Sequence, residues 1–270
     1  MTCAEAKSVI GNLPIRFVGG DGGSSVSALF YDQRDDTWPG AMGTALKWWT
    51  RLFNTQNHND ISSNIELLSW VITEANTVSN YFKVAGDQTT YFPAGHRFDV
   101  RASTGNDSGD TPYIVASSVY AAGFTTINVT GNIVDATADG TIHNGMFKFL
   151  TAKKYNIEGA LTCYGIKGTD VRLVNISGVT FTAGYVSSTP ATMTDPLSAA
   201  YAETVTGACV VTVNFKTQIN PSINSVWEVQ QWNEYAAANV YAMGTHKTYP
   251  VGTSHGGVVN FAHLEIKAAL

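Results

Sequence analysis

Few stretches of this sequence set reactive side chains at the spacings that chemistry requires. Gly19-Gly20-Asp21-Gly22-Gly23 is glycine-rich, as a phosphate-binding loop is, but such a loop ends in Lys-Ser/Thr at a helix start. Ser24-Ser25-Val26 follows instead, so the segment reads as a turn region after Ile15-Arg16-Phe17-Val18. Gly252-Thr253-Ser254-His255-Gly256 has the Gly-x-Ser-x-Gly spacing, but no strand-to-helix turn of the kind a nucleophile elbow needs is read around it. Ser254 and His255 adjoin, yet neighbours on a strand point apart, and Gly252, Gly256 and Gly257 mark a loop. The six histidines (His58, His96, His143, His246, His255, His263) show no His-x-His or His-x-x-x-His spacing. His246, His255 and His263 could share a metal only if the fold or an oligomer axis gathered them. Asp32, Asp35 and Asp36 form an acidic cluster. The turn Asn106-Asp107-Ser108-Gly109-Asp110 lacks the glycine at position six and glutamate at position twelve of an EF-hand loop. Both read as solvated turns. Paired carboxylates for sugar hydrolysis must converge from distant positions, and the repeated coils of a parallel β-helix are missing. The expectation is a protein that is not an enzyme, with no catalytic residues, no cofactor-binding residues and no metal.

The aromatic residues carry more. Trp38, Trp48, Trp49 and Trp70 fall in the first third of the chain. They either build a small aromatic core or form a docking surface, because Trp is enriched at interface hot spots. Trp227, Trp232, Tyr235, Tyr241 and Tyr249 cluster late. They either fill a sandwich or an oligomer axis, or stack on sugars.

The elements that would position these side chains divide into three parts. Residues 1–79 read as a helical and loop-rich docking part. Trp48, Trp49, Leu52 and Phe53 predict a helix over 44–54 with Thr44 as N-cap. Ile61, Ile65, Leu68 and Ile72 predict a second over 61–74, with a Ser63/Glu66 capping-box pattern. Residues 80–144 read as a small β barrel or sandwich module. Phe98 and Val100 share one strand face, Tyr113 and Val115 another, Ile127 and Val129 a third, with Thr126, Asn128 and Thr130 pointing away. Residues 145–270 read as a jelly-roll sandwich. Phe147/Phe149, Tyr155/Ile157/Leu161/Cys163, Cys209/Val211/Val213/Phe215, Trp227/Val229/Gln231 and Ala262/Leu264/Ile266 each alternate, and Gly159 occupies a core-facing position. Ser187 to Ala200 reads as a long loop. The predicted class is therefore mainly β, with a short helical N-terminal part.

Composition excludes several classes. Charged residues are 14% of the chain, below the roughly 25% usual for soluble domains. Aromatics at 11% argue against disorder, and a net charge of -5 argues against a nucleic-acid partner. No run approaches a membrane span and Met1 to Lys7 is unlike an export signal, so no membrane insertion is expected. Cys3, Cys163 and Cys209 read as reduced thiols, with a Cys163–Cys209 bridge as the alternative. Low charge also fits surfaces shared within an assembly.

The middle part carries a family resemblance. Its strings are Phe82-Lys83-Val84-Ala85-Gly86-Asp87, Tyr91-Phe92-Pro93-Ala94-Gly95-His96-Arg97-Phe98-Asp99-Val100 and Ser103-Thr104-Gly105-Asn106-Asp107. Tyr113 to Ser118, Thr125 to Val129 and Asp139-Gly140-Thr141 complete them. This resembles a small β module that recurs in virion proteins of tailed bacteriophages, with Ser108 to Pro112 lengthening one turn. The last part, through Phe147 to Cys163, Ser225 to Trp232 and Val259 to Ile266, is similar to C-terminal jelly rolls of phage fibre and decoration proteins of the C1q/TNF-like class. The resemblance implies a virion structural protein, fibre or tail-associated, that assembles as a homotrimer and contacts other virion proteins. A capsid decoration or head-fibre protein is the alternative, as is an adhesin for host surface glycan. The resemblance supplies no catalytic residues.

Overall fold

The computed structural model describes residues 26–35, 47–108, 112–164, 168–177, 179–182, 185–186, 198–201, 210–233 and 258–269. Among these residues the regular structure is seventeen strands and a 3-10 turn at Thr89–Tyr91. The strands are β1 (Ser27–Asp35), β2 (Trp48–Thr50), β3 (Thr55–Asn59), β4 (Ile65–Asn76), β5 (Tyr81–Ala85), β6 (Arg97–Arg101), β7 (Tyr113–Ala121), β8 (Phe124–Val129) and β9 (Thr141–Phe149). They continue as β10 (Tyr155–Tyr164), β11 (Gly168–Asn175), β12 (Phe181–Thr182), β13 (Tyr185–Val186), β14 (Ser198–Tyr201), β15 (Val210–Ile219), β16 (Ser225–Asn233) and β17 (Val258–Ala268).

The strands form a jelly-roll sandwich and a small barrel that share two strands. One sheet has the order β15-β10-β17-β1-β3. The facing sheet runs β4-β9-β16-β11-β14, and β2 pairs with the far half of β16, carrying β13 and β12 beyond it. Ala28, Phe30, Tyr155, Ile157, Leu161, Val213, Phe215, Leu264 and Ile266 of the first sheet meet Ile65, Phe147, Phe149, Val171, Leu173, Trp227 and Val229 of the second. Burying each such large apolar side chain contributes roughly 1.5–3 kcal/mol. The barrel closes through β4-β5-β8-β7-β6-β9 and back to β4, every pairing antiparallel. Phe82, Val84, Phe92, Phe98, Val100, Val115, Ile127 and Ile142 fill it, with Tyr113 packed against them. The alternations read in these strands hold, with Thr126 and Asn128 half-buried outside and Thr130 exposed.

Gly159 and Gly145 show how closely the layers approach. A Cβ on Gly159 would lie 2.4 Å from the His263 carbonyl oxygen and 2.7 Å from the Phe215 ring, which sits directly opposite. Gly145 has φ +76, and a Cβ there would lie 2.3 Å from the Arg51 carbonyl oxygen.

Both predicted helices are strands or turns instead. Within 44–54, Trp48–Thr50 is β2, and the Arg51 N–H continues with a bond to the Val229 carbonyl at 2.8 Å. Leu52 and Phe53 are both fully buried because the chain there threads between neighbouring layers rather than lying on one surface. Within 61–74, the turn after Asp60 leads directly into β4. Ile65, Leu68, Ile72 and Ala75 are its buried positions, a near-helical spacing. Two register shifts produce it, between Leu67 and Ser69 and between Ile72 and Glu74. Each bulge resets the period of two. Thus Ile65 faces the sandwich core, and Ile72 and Ala75 face the barrel.

The three consecutive parts are interleaved in space. β1 lies between β17 and β3, and β2 pairs with β16. Asn80 sits in the turn joining β4 to β5, and Asn144 lies within β9. The barrel strands β5 to β8 are inserted between two adjacent jelly-roll strands, β4 and β9.

Candidate functional site

The second sheet presents a buried polar seam where the barrel covers its outer face. Strand β16 reads Ser-Val-Trp-Glu-Val-Gln-Gln-Trp-Asn. Trp227 and Val229 point into the sandwich, which turns Val226, Glu228 and Gln230 outward. On an uncovered sheet those positions would meet water. Here Val226 packs with Leu68, Met146 and Ile176, and Glu228 and Gln230 are fully buried.

Buried polar groups must be partnered. The Glu228 carboxylate accepts from Thr50 Oγ1 at 3.1 Å and Gln230 Nε2 at 2.6 Å on one oxygen. Its other oxygen lies 3.0 Å from His96 Nε2, with both side chains fully buried. Gln230 Oε1 accepts from Arg172 Nε at 2.9 Å, and the Arg172 guanidinium lies 4.0 Å above the Trp48 ring. Burial lowers the Arg172 pKa to about 10, against the opposing pull of Glu228, so it stays charged at neutral pH. Arg97 stacks 4.6 Å from the Trp49 ring and donates to the Thr50 carbonyl at 2.7 Å. On the sandwich side, Gln231 donates to Thr169 at 3.1 Å and accepts from Arg51 at 3.4 Å, while Arg51 pairs with Asp32 at 2.7 Å.

His96, Glu228 and Thr50 are residue types that transfer protons. Thr50 donates to the carboxylate rather than to the imidazole, and none of the three is more than 1% exposed. The His96 ring meets the Phe181 ring edge-on at 4.6 Å, and its Nδ1 has no hydrogen-bond partner among the described residues. In this conformation the cluster joins barrel to sandwich and offers a substrate no approach. A second buried group lies on the barrel side. Asp99 pairs with Arg101 at 3.6 Å, and His143 faces both charges; burial, reinforced by Arg101 and opposed by Asp99, lowers the His143 pKa to about 4.

The outer face of the first sheet carries a charge ladder. Lys267 bonds Glu158 at 2.7 Å and Glu265 at 2.9 Å, and Lys216 lies 3.6 Å from Glu158. Burial works to raise the Glu158 carboxyl, but Lys267 and Lys216 outweigh it and hold it below its usual range. Tyr31 and His263 sit opposite one another in the next row. Burial raises the tyrosine, with help from Glu265. Burial lowers the histidine, against Glu265 and Glu158.

The aromatic candidates separate. Trp48 and Trp232 are cross-strand neighbours and half-buried. Trp49 is buried beside Arg97. Trp70 is half-buried against Tyr91 and Phe92. Trp227 is a core residue at 5% exposure, its Nε1 donating to Ser225 Oγ at 3.0 Å, so it presents no contact surface. Trp38, Tyr235, Tyr241 and Tyr249 lie outside the described residues, as do the loop at Gly19 to Gly23, Ser254, His246, His255, Asp36, Asp110 and Cys209 with the bridge it would form. Asp32 is an ion-pair partner rather than a solvated turn residue. The side chain of Asn106, buried rather than solvated, ties two loops together: Oδ1 accepts from the Val134 and Asp135 N–H groups, and Nδ2 donates to the Asp135 carbonyl.

Sequence reasoning weighed His96 only as a metal ligand and missed Thr50, Arg172, Glu228 and Gln230. The available signal was Glu-x-Gln-Gln inside an otherwise apolar strand. Among the described residues no group of three or more His, Cys, Asp or Glu side chains is placed to hold a metal ion. No protein-family profile matches the chain, and no curated protein sequence matches it.

Proposed function

We propose that this chain is a structural protein of a tailed-bacteriophage virion, fibre or tail-associated, working as a symmetric homotrimer among other virion proteins. The observation that carries the reading is the architecture: a ten-strand, two-sheet jelly roll with a closed barrel inserted between two of its strands. A jelly roll is what the C1q/TNF-like resemblance implies, and the barrel coincides with the segment that resembles the phage β module. The seam supports it further, because its ionisable groups are consumed in joining the two units. Such a protein acts through surfaces, and trimerisation is assigned to the jelly roll.

Imaging of intact particles with antibody to the jelly roll tests the location. Label on tails or fibres supports the reading, and label confined to capsid faces favours the decoration or head-fibre alternative. Mass measurement at micromolar concentration tests the trimer, and a folded monomer overturns it.

The adhesin reading draws on the half-buried neighbours Trp48 and Trp232. A cross-strand aromatic pair can stack on a sugar ring. A host-glycan array decides it, and no signal removes it.

A further inference from the structure

The second half of β7 has a backbone partner on one side only. β7 pairs with β8 from Val115 to Ala121, but with β6 only at Tyr113 and Ile114. Among the described residues no backbone hydrogen bond reaches the other edge of residues 116–121. The hairpin closes through Ala122 and Gly123 at φ 51 and 85, a two-residue loop. Ala121 and Phe124 are then the hydrogen-bonded pair beside the loop. Alternation along an antiparallel ladder turns the N–H and C=O groups of Tyr120 and Ser118 outward.

This edge lacks charge and proline; its protection is a bulge between Val115 and Ser117 and the neighbouring 3-10 turn, whose Thr89 carbonyl accepts from Ser118 Oγ at 3.5 Å. Exposed strand edges are ordinarily blunted by charge, proline or a covering element. From Pro112 to Val134 the sequence holds no Asp, Glu, Lys, Arg or His. Val119 is 56% exposed, Tyr120 47% and Phe124 40%. Strand β15, which also borders a sheet, carries Lys216 with its side chain 75% exposed.

We propose that the β7 edges of two copies of this chain pair antiparallel about a two-fold axis at Val119. In that register Ser118 of each copy faces Tyr120 of the other. All the outward N–H and C=O groups of those residues are then satisfied, and Val119 meets its own copy. A neutral strand meets an identical neutral strand without charge repulsion, whereas a strand bearing a net charge would repel itself. The contact is small, so alone it is weak. Several barrels displayed on one oligomer multiply it through effective concentration, joining one oligomer to the next.

A cysteine at residue 119 tests this. Non-hydrogen-bonded antiparallel neighbours lie about 4.5 Å apart at Cα, within disulfide range. Full-length Val119→Cys is oxidised mildly beside Thr126→Cys, which lies across the same hairpin on β8 and off the free edge. The expected result is a 119–119 disulfide, mapped by mass spectrometry, forming at least tenfold faster than the control. Tyr120→Pro removes an outward N–H without touching the β8 ladder and is expected to abolish that advantage. Ser118→Pro provides the same test at the second outward N–H, and circular dichroism confirms that the variants are folded. Equal rates, coupling to Cys3, Cys163 or Cys209 instead, or indifference to both prolines would each overturn the proposal.

Discussion

Glu228→Gln removes one charge and almost no volume from the seam between barrel and sandwich, and its cost follows from the donor count. The carboxylate receives three donors: Thr50 Oγ1 and Gln230 Nε2 on one oxygen, His96 Nε2 on the other. A glutamine keeps one acceptor oxygen. Its best orientation retains the oxygen that serves Thr50 and Gln230 and turns its amide N–H toward His96. The imidazole must then accept at Nε2 and carry its proton on Nδ1, which has no hydrogen-bond partner among the described residues. The loss is one charge-assisted bond, about 1.5–3 kcal/mol net, plus one unsatisfied buried donor, about 1–3 kcal/mol. Relaxation offsets part of this, so roughly 3 kcal/mol is expected. Urea unfolding at fixed protein concentration measures it. Limited proteolysis should show the β5 to β8 segment cut first, since the seam holds it down. Replacing both partners, with His96→Phe and Glu228→Leu, leaves neither a buried charge nor an orphaned imidazole. It should cost less than the sum of the single changes. A loss below about 0.5 kcal/mol in Glu228→Gln, or strict additivity in the double variant, would refute the view that this pair joins the two units.

Three further outcomes follow from other sites. The folded-state pKa of His143 lies at about 4 against an ordinary 6.5, so the fold favours the neutral ring. The associated stability is complete above about pH 6.5 and lost as pH falls toward about 4, up to about 3 kcal/mol. His143→Gln should flatten that part of a pH series of urea unfolding curves; an unchanged slope would contradict the assignment. Gly159→Ala must displace the β17 backbone as well as the Phe215 ring. Its expected cost is about 2–3 kcal/mol, read as a lowering of Tm by roughly 5–10 °C. Ala122 holds φ 51 in the β7–β8 loop, a region asparagine tolerates better, so Ala122→Asn should stabilise by about 0.5–1 kcal/mol in thermal unfolding.

The jelly-roll strands were legible because their alternation is regular and their faces are cleanly divided. Val213 and Phe215 look inward from β15 while Thr212, Asn214, Lys216 and Gln218 look out, which is the pattern their types alone predict. The second predicted helix failed for a physical reason. In β4 two bulges convert a period of two into a spacing close to 3.5, the same apolar pattern that defines a helix stripe. Propensity held a counter-signal in the β-branched and aromatic residues at Ile65, Trp70, Val71, Ile72 and Thr73. Those residues suit a pleated surface. Trp48 to Phe53 failed differently: a segment threaded between layers buries consecutive residues, and no single period describes it.

The seam was illegible because it is a property of the insertion rather than of any strand. Glu228 and Gln230 occupy the outer face of β16, where a carboxylate and an amide are ordinary solvent-facing choices. They are buried only because β4 and β9 leave the sandwich to frame the barrel, bringing His96 over a strand 132 residues further along. The bulges that disguised β4 belong to the same event. One lies where β4 passes from Phe147 opposite Leu67 to His143 opposite Ser69, and the residues looped out opposite it are Asn144 to Met146. Asn144 fastens that loop to the Tyr91 carbonyl, and Gly145 admits the Arg51 backbone. A larger residue at 145 would push Arg51 and Leu52 away from β9 and, with them, Thr50 away from Glu228. The misread strand, the crowded glycine and the buried carboxylate are therefore consequences of one decision in the chain: to continue two sandwich strands into a barrel instead of ending them at the sheet.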